Sequence, residues 1–200
     1  MKYLRKAVAI LLFIAICCET AVAQLIFDFK DKHISEIRNR EIASNSKLVT
    51  PSSTYMNPPG IADPVVFERQ EATVPNLWVY YFPNAKDSTI NNVMYEWDDS
   101  NFTSDHHSTT QPISVLNNYI TKYKELLKQV GDTYGKPQTT GSLDDTSLIE
   151  AGKFKRKDVF TKNGTEVEMY IVLSNKEVTS GIVTISPTHR IRMYVRPASI

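Results

Sequence analysis

Residues 98–107 offer the side chains of this sequence best suited to hold a metal ion. Asp99, Asn101, Thr103 and Asp105 place an oxygen at every second position, as a calcium-binding loop does. An EF-hand loop also needs glycine at its sixth position and glutamate at its twelfth, and counting from Asp99 this chain has serine and threonine there. The pattern therefore matches a calcium loop only in part.

The same segment contains a second set of metal-ligating types, Asp105, His106 and His107. Adjacent histidines on a strand point to opposite faces, so both cannot ligate one zinc ion in that conformation. The alternative is a polar, solvated loop that joins a strand to a helix. No cofactor is expected, and calcium or zinc is the exception to test. The candidate metal ligands are Asp99, Asn101, Asp105 and His106.

A charged pair near a hairpin is the first candidate for ligand binding. Asn163-Gly164 is a strong two-residue turn signal, and that turn places Arg156 opposite Ile171 and Asp158 opposite Met169. Both charges then lie on the apolar side of the sheet, where they must pair with each other or a neighbour, or mark an open cleft. A bulge, or a strand that begins later, would remove this constraint.

Arginines on the last predicted strand form the second candidate. Glu166 and Glu168 alternate along one strand, and Arg190, Arg192 and Arg196 along another. If the strands are neighbours, these charges form a cross-strand ladder. If they are not, the arginines form a basic stripe suited to an acidic partner or a phosphate. The candidate ligand-binding residues are thus Arg156, Asp158, Arg190 and Arg192.

Sequence motifs for catalysis are absent. The chain has no G-x-S-x-G, no H-E-x-x-H, no phosphate-binding loop and no C-x-x-C pair. The members of a catalytic triad come from distant positions in the sequence, so the four histidines of this chain are not by themselves evidence for a triad. The sequence therefore favours a binding or interaction protein over an enzyme, although an enzyme that uses residues 98–107 stays open.

The N-terminus has the pattern of a secretory signal. Residues 1–6 are basic, residues 7–18 are apolar, and residues 21–23 form the small-residue A-x-A site. An apolar run of about 12 residues is shorter than the about 20 needed to span a bilayer. We therefore expect cleavage after Ala23, with a retained anchor and a lipoprotein acylated at Cys17 or Cys18 as the alternatives.

Signal cleavage changes the charge and the cysteine content. Of 23 basic and 22 acidic residues, three basic and one acidic lie in residues 1–23, which leaves a net charge of −1. This balance argues against a nucleic-acid partner. The only two cysteines, Cys17 and Cys18, would also be lost, so the exported protein would be free of disulfides and thiolate sites. We expect a bacterial protein of the periplasm or the extracellular space, with no membrane span after cleavage.

Hydrophobic patterning predicts the elements that position these residues. Residues 24–62 are predicted to form an N-terminal arm and a Ser/Pro-rich linker, and residues 63–200 a single domain. A long amphipathic helix is predicted from Pro112 to Gly135, with its apolar stripe running from Ile113 to Tyr134. The strands are predicted at residues 65–67, 77–82, 90–97, 153–161, 166–173, 182–185 and 190–196.

These elements predict an α+β domain, in which one long helix packs across a mostly antiparallel sheet of five to seven strands. The function that fits best is a non-enzymatic binding or interaction domain outside the inner membrane, with an unknown protein or small ligand as its partner. The alternatives are a metal-dependent protein that uses residues 98–107 and a structural component of a cell-envelope assembly. If Tyr95 or Trp97 is exposed, their strand offers a face for carbohydrate or protein.

Overall fold

A computed structural model describes residues 25, 27, 29, 31–50 and 55–198 of the chain. The predicted signal sequence, its cleavage site and both cysteines lie outside the described residues. Among the helices that are described, none combines the length and the apolar character needed to cross a membrane.

Eight antiparallel strands form the main sheet, one more than the largest number that the sequence predicts. A further two strands, β8 and β9, form a separate hairpin. The ten strands are β1 Lys47–Val49, β2 Val65–Arg69, β3 Leu77–Pro83, β4 Ile90–Asp98, β5 Gln138–Gly141, β6 Phe154–Lys162, β7 Thr165–Ser174, β8 Val178–Ser180, β9 Val183–Ile185 and β10 Thr188–Pro197. The order across the main sheet is β1-β2-β3-β4-β10-β7-β6-β5.

The long helix α2, Ile113–Tyr134, packs across β6, β7 and β10. Pro112 is its N-cap and Gly135, with φ of 90°, follows its last turn, close to the predicted ends. The α+β architecture with one long helix on one face of the sheet is therefore confirmed. The first residue of the predicted apolar stripe, Ile113, is exposed, because the stripe reaches the core only from Leu116 onward.

The turn at Asn163-Gly164 sets the register that the sequence predicts. Arg156 lies opposite Ile171 and Asp158 lies opposite Met169, without a bulge. Tyr95 and Trp97 are both buried, so their strand offers no exposed aromatic face at these two positions. The apolar alternation of β7 and β10 faces the helix, and the intervening charged residues face the open side of the sheet.

The N-terminal region packs onto the sheet, whereas the sequence suggested an arm apart from the domain. Leu25, Phe29 and Ile37 belong to the main core, and Ile37 lies in a second helix, α1, Ile34–Ala43. Strand β1 lies inside the segment predicted to be a linker, and it pairs with β2. This region docks through separate apolar anchors and not through one continuous stripe.

Three strands lie where no strand was predicted. β1 and β5 are three and four residues long and mostly exposed, so they show no apolar alternation. β8 is also exposed throughout, and with β9 it forms a hairpin between β7 and β10. Short edge strands of this kind are held by backbone pairing to a neighbour, which a single-strand pattern does not reveal.

Candidate functional site at the hairpin end of the sheet

Residues 98–107 fold back over one end of the sheet. Asp98 ends β4, is buried, and accepts hydrogen bonds from the backbone N–H (3.0 Å) and hydroxyl (2.8 Å) of Ser100. This cap starts a short 3-10 helix, Asp99–Phe102, directly after the strand. This cap and the 3-10 helix direct polar side chains of residues 98–107 toward the rest of the domain.

A buried polar network joins this 3-10 helix to the last strand. His189 is fully buried, with its Nδ1 2.9 Å from Asp99 Oδ2 and its Nε2 3.0 Å from Asn175 Oδ1. The Ser108 hydroxyl donates a hydrogen bond to the other Asp99 oxygen. Because both ring nitrogens of His189 are engaged, this side chain links three separate segments.

Asn175 extends the network to the start of α2. Its Oδ1 accepts the backbone N–H of Gln111 at 3.1 Å, and its Nδ2 donates to the Gln111 carbonyl at 2.9 Å. The same Nδ2 lies 2.7 Å from Glu150 Oε1. Asn175 precedes β8 by three residues, so these bonds fix the position at which the β8–β9 hairpin leaves the sheet.

Three of the four predicted metal ligands, Asp99, Asn101 and Asp105, have different partners, and the backbone N–H of the fourth, His106, donates to the Thr103 carbonyl at 3.3 Å. Asp99 binds His189 and Ser108, whereas the Asn101 side-chain amide donates to Glu96 Oε2 at 3.0 Å. Asp105 is exposed and accepts the backbone N–H of His107.

The His107 backbone N–H also holds the pKa of Asp105 below its usual value. In the part of the chain that is described, no three His, Cys, Asp or Glu side chains group as metal ligands. Metal binding by Asp99, Asn101, Asp105 and His106 therefore stays a prediction.

Arg156 and Asp158 form an ion pair on the helix side of the sheet. The fully buried Asp158 carboxylate accepts hydrogen bonds from Arg156 (2.8 and 3.0 Å), the Tyr123 hydroxyl (2.8 Å) and the Thr139 hydroxyl (2.6 Å). Burial alone would raise the pKa of Asp158, but these hydrogen bonds lower it below its usual value. The carboxylate is thus satisfied by the protein, and ligand binding at this pair stays a prediction.

The arginines of β10 form cross-strand ion pairs, because β10 lies between β7 and β4. Arg196 lies opposite Glu166 and binds it at 2.7 Å, and it also reaches Glu168 at 3.0 Å. Arg190 and Arg192 turn to the other neighbour and bind Asp98 and Glu96 of β4. The predicted ladder between Glu166, Glu168 and the arginines is therefore present only at Arg196, whereas Arg190 and Arg192 pair with carboxylates of β4.

Glu96 is a buried member of this ladder. It also accepts a hydrogen bond from the Tyr80 hydroxyl at 2.9 Å. Burial alone would raise its pKa, but the charges of Arg192 and Arg190 and the hydrogen bond from Asn101 lower it. The guanidinium groups of Arg190 and Arg192 are thus already neutralised, and binding of a ligand there stays a prediction.

The most unusual surface of the described chain is the β8–β9 hairpin. Val178 pairs with Ile185 and Ser180 with Val183, while Thr179 and Thr184 face the opposite side, with their hydroxyls 3.1 Å apart. All six strand residues are exposed. One face of the hairpin therefore presents valine and isoleucine side chains to solvent.

The tip of the hairpin is apolar as well. Gly181, with φ of 62°, occupies the first position of the two-residue turn, as a type II′ turn requires. Ile182 follows it and is fully exposed, and Ile185 is 61% exposed. Of ten exposed large apolar residues in the described chain, four lie in this one hairpin. Clustering of this kind is typical of an interaction surface, whereas single exposed apolar residues are common on any protein.

A hollow of about 200 Å³ lies at the base of the hairpin. Ile185, Ser186 and Pro187 form one wall, and the other lining residues are Ser100, His106, His107, Ser108, Thr188 and Arg190. The exposed Ile113 and Val115 at the start of α2 lie near the same end of the domain, because Gln111 is bound to Asn175. Exposed apolar groups thus concentrate at the end of the sheet where the hairpin leaves it.

A second hollow of about 370 Å³ lies on the open side of the sheet. Trp78 and Phe102 line it, with ring centroids 5.8 Å apart, together with Lys47, Leu48, Val49, Thr50, Glu68, Asn101 and His106. It mixes apolar, cationic, anionic and amide groups, so no single ligand chemistry is selected by its walls.

Comparison of the chain with known protein families, with characterised proteins and with solved structures finds no significant match. Function must therefore be argued from the hairpin end itself. The sequence predicts a strand at residues 182–185 but not its exposure. Two features of the sequence mark a hairpin there: residues 178–188 are free of charged side chains, and Gly181 separates Val178-Thr179-Ser180 from Ile182-Val183-Thr184-Ile185.

Proposed function

We propose that this chain is a non-enzymatic interaction domain, working outside the inner membrane, that binds a protein partner by strand pairing at the β8–β9 hairpin. The observation that carries the proposal is an apolar hairpin whose six strand residues are all exposed. A two-stranded hairpin is at best marginally stable in water by itself. A partner that covers its apolar face and pairs with its edge would stabilise it.

The backbone of the hairpin supports pairing with another strand. In a hairpin closed by two residues, the pair that flanks the turn exchanges both hydrogen bonds, here Ser180 and Val183. The next pair, Thr179 and Thr184, then points its backbone N–H and C=O groups outward. These outward groups form two open edges, and a further strand can add to such an edge through main-chain hydrogen bonds.

Protection of the sheet edges differs between the hairpin and the main sheet. Edge strand β1 carries Lys47, and edge strand β5 is polar and ends at Gly141. Lysine, short length and polar residues are common devices that prevent unwanted strand pairing. The hairpin strands are as short as β1, but residues 178–188 contain no charged side chain, so the hairpin lacks protection by charge. An apolar edge without a charged residue favours a binding role.

A protein strand fits the hairpin better than a lipid bilayer does. The outward N–H and C=O groups of Thr179 and Thr184 would have no partner in hydrocarbon, and each such group costs several kcal/mol. A strand supplies those partners and can cover Val183 and Ile185 at the same time. The bonds of Asn175 to Gln111 and Glu150 hold the base of the hairpin, which lowers the entropy cost of binding.

In-cell photo-crosslinking tests the proposal. A photoreactive amino acid in place of Ile182 should give discrete protein adducts in the cells that make the protein. The same group in place of Ile42, an exposed residue of α1, should give few. The companion change Thr184→Pro should abolish the Ile182 adducts, because it removes an outward N–H and leaves the inner hydrogen bonds of β9 in place.

Three results would contradict the proposal. One is that adducts at the Ile182 position are no stronger than those at the Ile42 position. Another is that the Ile182 adducts are unchanged by Thr184→Pro. Recovery of lipid adducts alone would also contradict it, since a bilayer partner does not need the strand edge. The Tm of each variant, measured by circular dichroism, shows that the domain itself is intact.

A further inference from the structure

We infer that the strand which pairs with this hairpin is β9 of a second copy of the chain, in a two-fold dimer whose axis passes beside Thr184. This inference rests on the proposed function, because it names the partner of the same hairpin. The observation behind it is that antiparallel self-pairing of β9 matches its outward hydrogen-bonding groups and its apolar side chains, and β9 carries no charge that would oppose the contact.

Antiparallel pairing of β9 with its own copy is symmetric about Thr184. The outward N–H and C=O of Thr184 in one copy meet those of Thr184 in the other, and two identical hydrogen bonds result. Val183 of each copy then lies opposite Ile185 of the other, on the same face of the sheet. Such an isologous contact, in which the same patch serves both copies, is the commonest form of a homodimer interface.

The β8 edge is less suitable for the same arrangement. Self-pairing about Thr179 would place Val178 opposite Ser180, so it would gain no apolar pair. It would also bring the charged residues Lys176 and Glu177, which immediately precede β8, next to the interface. Cross-strand pairs of β-branched apolar residues stabilise a sheet by about 0.2–1 kcal/mol each. The two Val–Ile pairs therefore favour β9.

The hollow at the base of the hairpin makes room for the partner. In this register Ile182 of one copy lies beside Ser186 of the other, at a wall of the hollow of about 200 Å³. Ile185 and Pro187 contribute apolar atoms to the same wall. The fully exposed Ile182 side chain thus gains a place against a neighbour, which it lacks in a single copy.

Charge does not oppose the approach of two copies. The segment 178–188 is uncharged, and the whole chain has a formal net charge of only +1. A hairpin selected for a different, charged partner would be expected to carry complementary charges, since charge complementarity sets partner choice at many interfaces. Its absence here leaves apolar and main-chain complementarity, which the second copy satisfies.

A disulfide placed on the two-fold axis tests the inference. Thr184→Cys is made in the full chain with Cys17 and Cys18 replaced by serine, so that the introduced thiol is unique. The Cα atoms of opposite residues in a strand pair lie about 4.5–5.5 Å apart, which is within the range that a disulfide can bridge. Mild oxidation should therefore convert most of the chain to a covalent dimer. Thr179→Cys is the matched control: it faces the same side but lies one strand further from the axis, and it should stay monomeric.

The controls separate this inference from the function on which it rests. Sedimentation of the chain without the introduced thiol should show a concentration-dependent dimer that Thr184→Pro removes. Crosslinking of Thr179→Cys in preference to Thr184→Cys would overturn the β9 register. A chain that stays monomeric and gives no Thr184→Cys dimer would overturn self-pairing altogether. Photo-adducts from Ile182 to a different protein would in that case still support the proposed function.

Discussion

Glu41→Gln is expected to destabilise the domain by about 3–5 kcal/mol, because it leaves a buried arginine without its counter-charge. Glu41 lies in α1 and is 1% exposed, and it binds the Arg69 guanidinium of β2. Its carboxylate also accepts hydrogen bonds from the hydroxyls of Ser46 (2.6 Å) and Tyr81 (2.5 Å). Urea unfolding at pH 7, followed by circular dichroism, measures the loss of stability.

The pH dependence of the stability lost in Glu41→Gln provides a control. Burial alone would raise the pKa of Glu41, but the hydrogen bonds and charge of Arg69, with the bonds from Ser46 and Tyr81, lower it below 4.5. A lowered pKa in the folded state means that the carboxylate stabilises the fold above pH 4.5 and stops doing so as the pH falls through the folded value. The difference between wild type and Glu41→Gln should therefore shrink below about pH 4.5.

A matched double variant separates loss of the ion pair from loss of packing. Glu41→Leu combined with Arg69→Met replaces both charges by apolar groups and should recover most of the stability, because replacing a whole buried ion pair is often neutral. If the single variant Glu41→Gln costs less than about 1 kcal/mol, the pair is not buried as described.

His189→Ala is expected to cost about 3 kcal/mol. The change removes a fully buried ring, and it leaves Asp99 and Asn175 each without one hydrogen-bond partner. A buried polar group without its partner costs about 1–3 kcal/mol, and the cavity adds to this. His107→Ala is the control, because His107 is exposed, and surface changes usually stay within about 0.5 kcal/mol.

The effect of His189→Ala should also extend to the hairpin. Asn175 would lose one of the bonds that fix the base of β8, so the hairpin should move more freely and bind its partner less tightly. Measurement of unfolding and of dimer formation on the same variant tests both consequences. A variant that keeps full stability would show that the Asp99–His189–Asn175 network does not hold this end of the domain together.

Short-range patterns in the sequence were sufficient to predict much of the fold. The Asn163-Gly164 turn fixed the register of β6 and β7, because a two-residue turn admits little else, and the stripe along α2 identified the helix. That register also placed Arg156 and Asp158 on the apolar side of the sheet, where pairing with each other was one of the outcomes the sequence left open. Features of this kind depend on residues close together in the sequence, so the sequence reveals them.

The missed features depend on residues far apart in the chain. Glu41 and Arg69 meet only because α1 folds onto β2, and neither side chain belongs to a recognisable motif. His189 meets Asp99 across 90 positions for the same reason. The exposure of the β8–β9 hairpin was equally hidden, since Val and Ile predict a buried strand unless the neighbouring elements are known.

Hydrogen exchange at single-residue resolution tests the central claim, strand pairing at the outer edge of β9. In the dilute chain the Thr184 amide points outward and should exchange like an exposed amide. In concentrated protein, or with its partner bound, it should slow by about tenfold or more, while the inward amide of Ile185 changes far less. If Thr184 exchanges at the same rate under every condition in which a complex forms, the hairpin edge is not the site of binding.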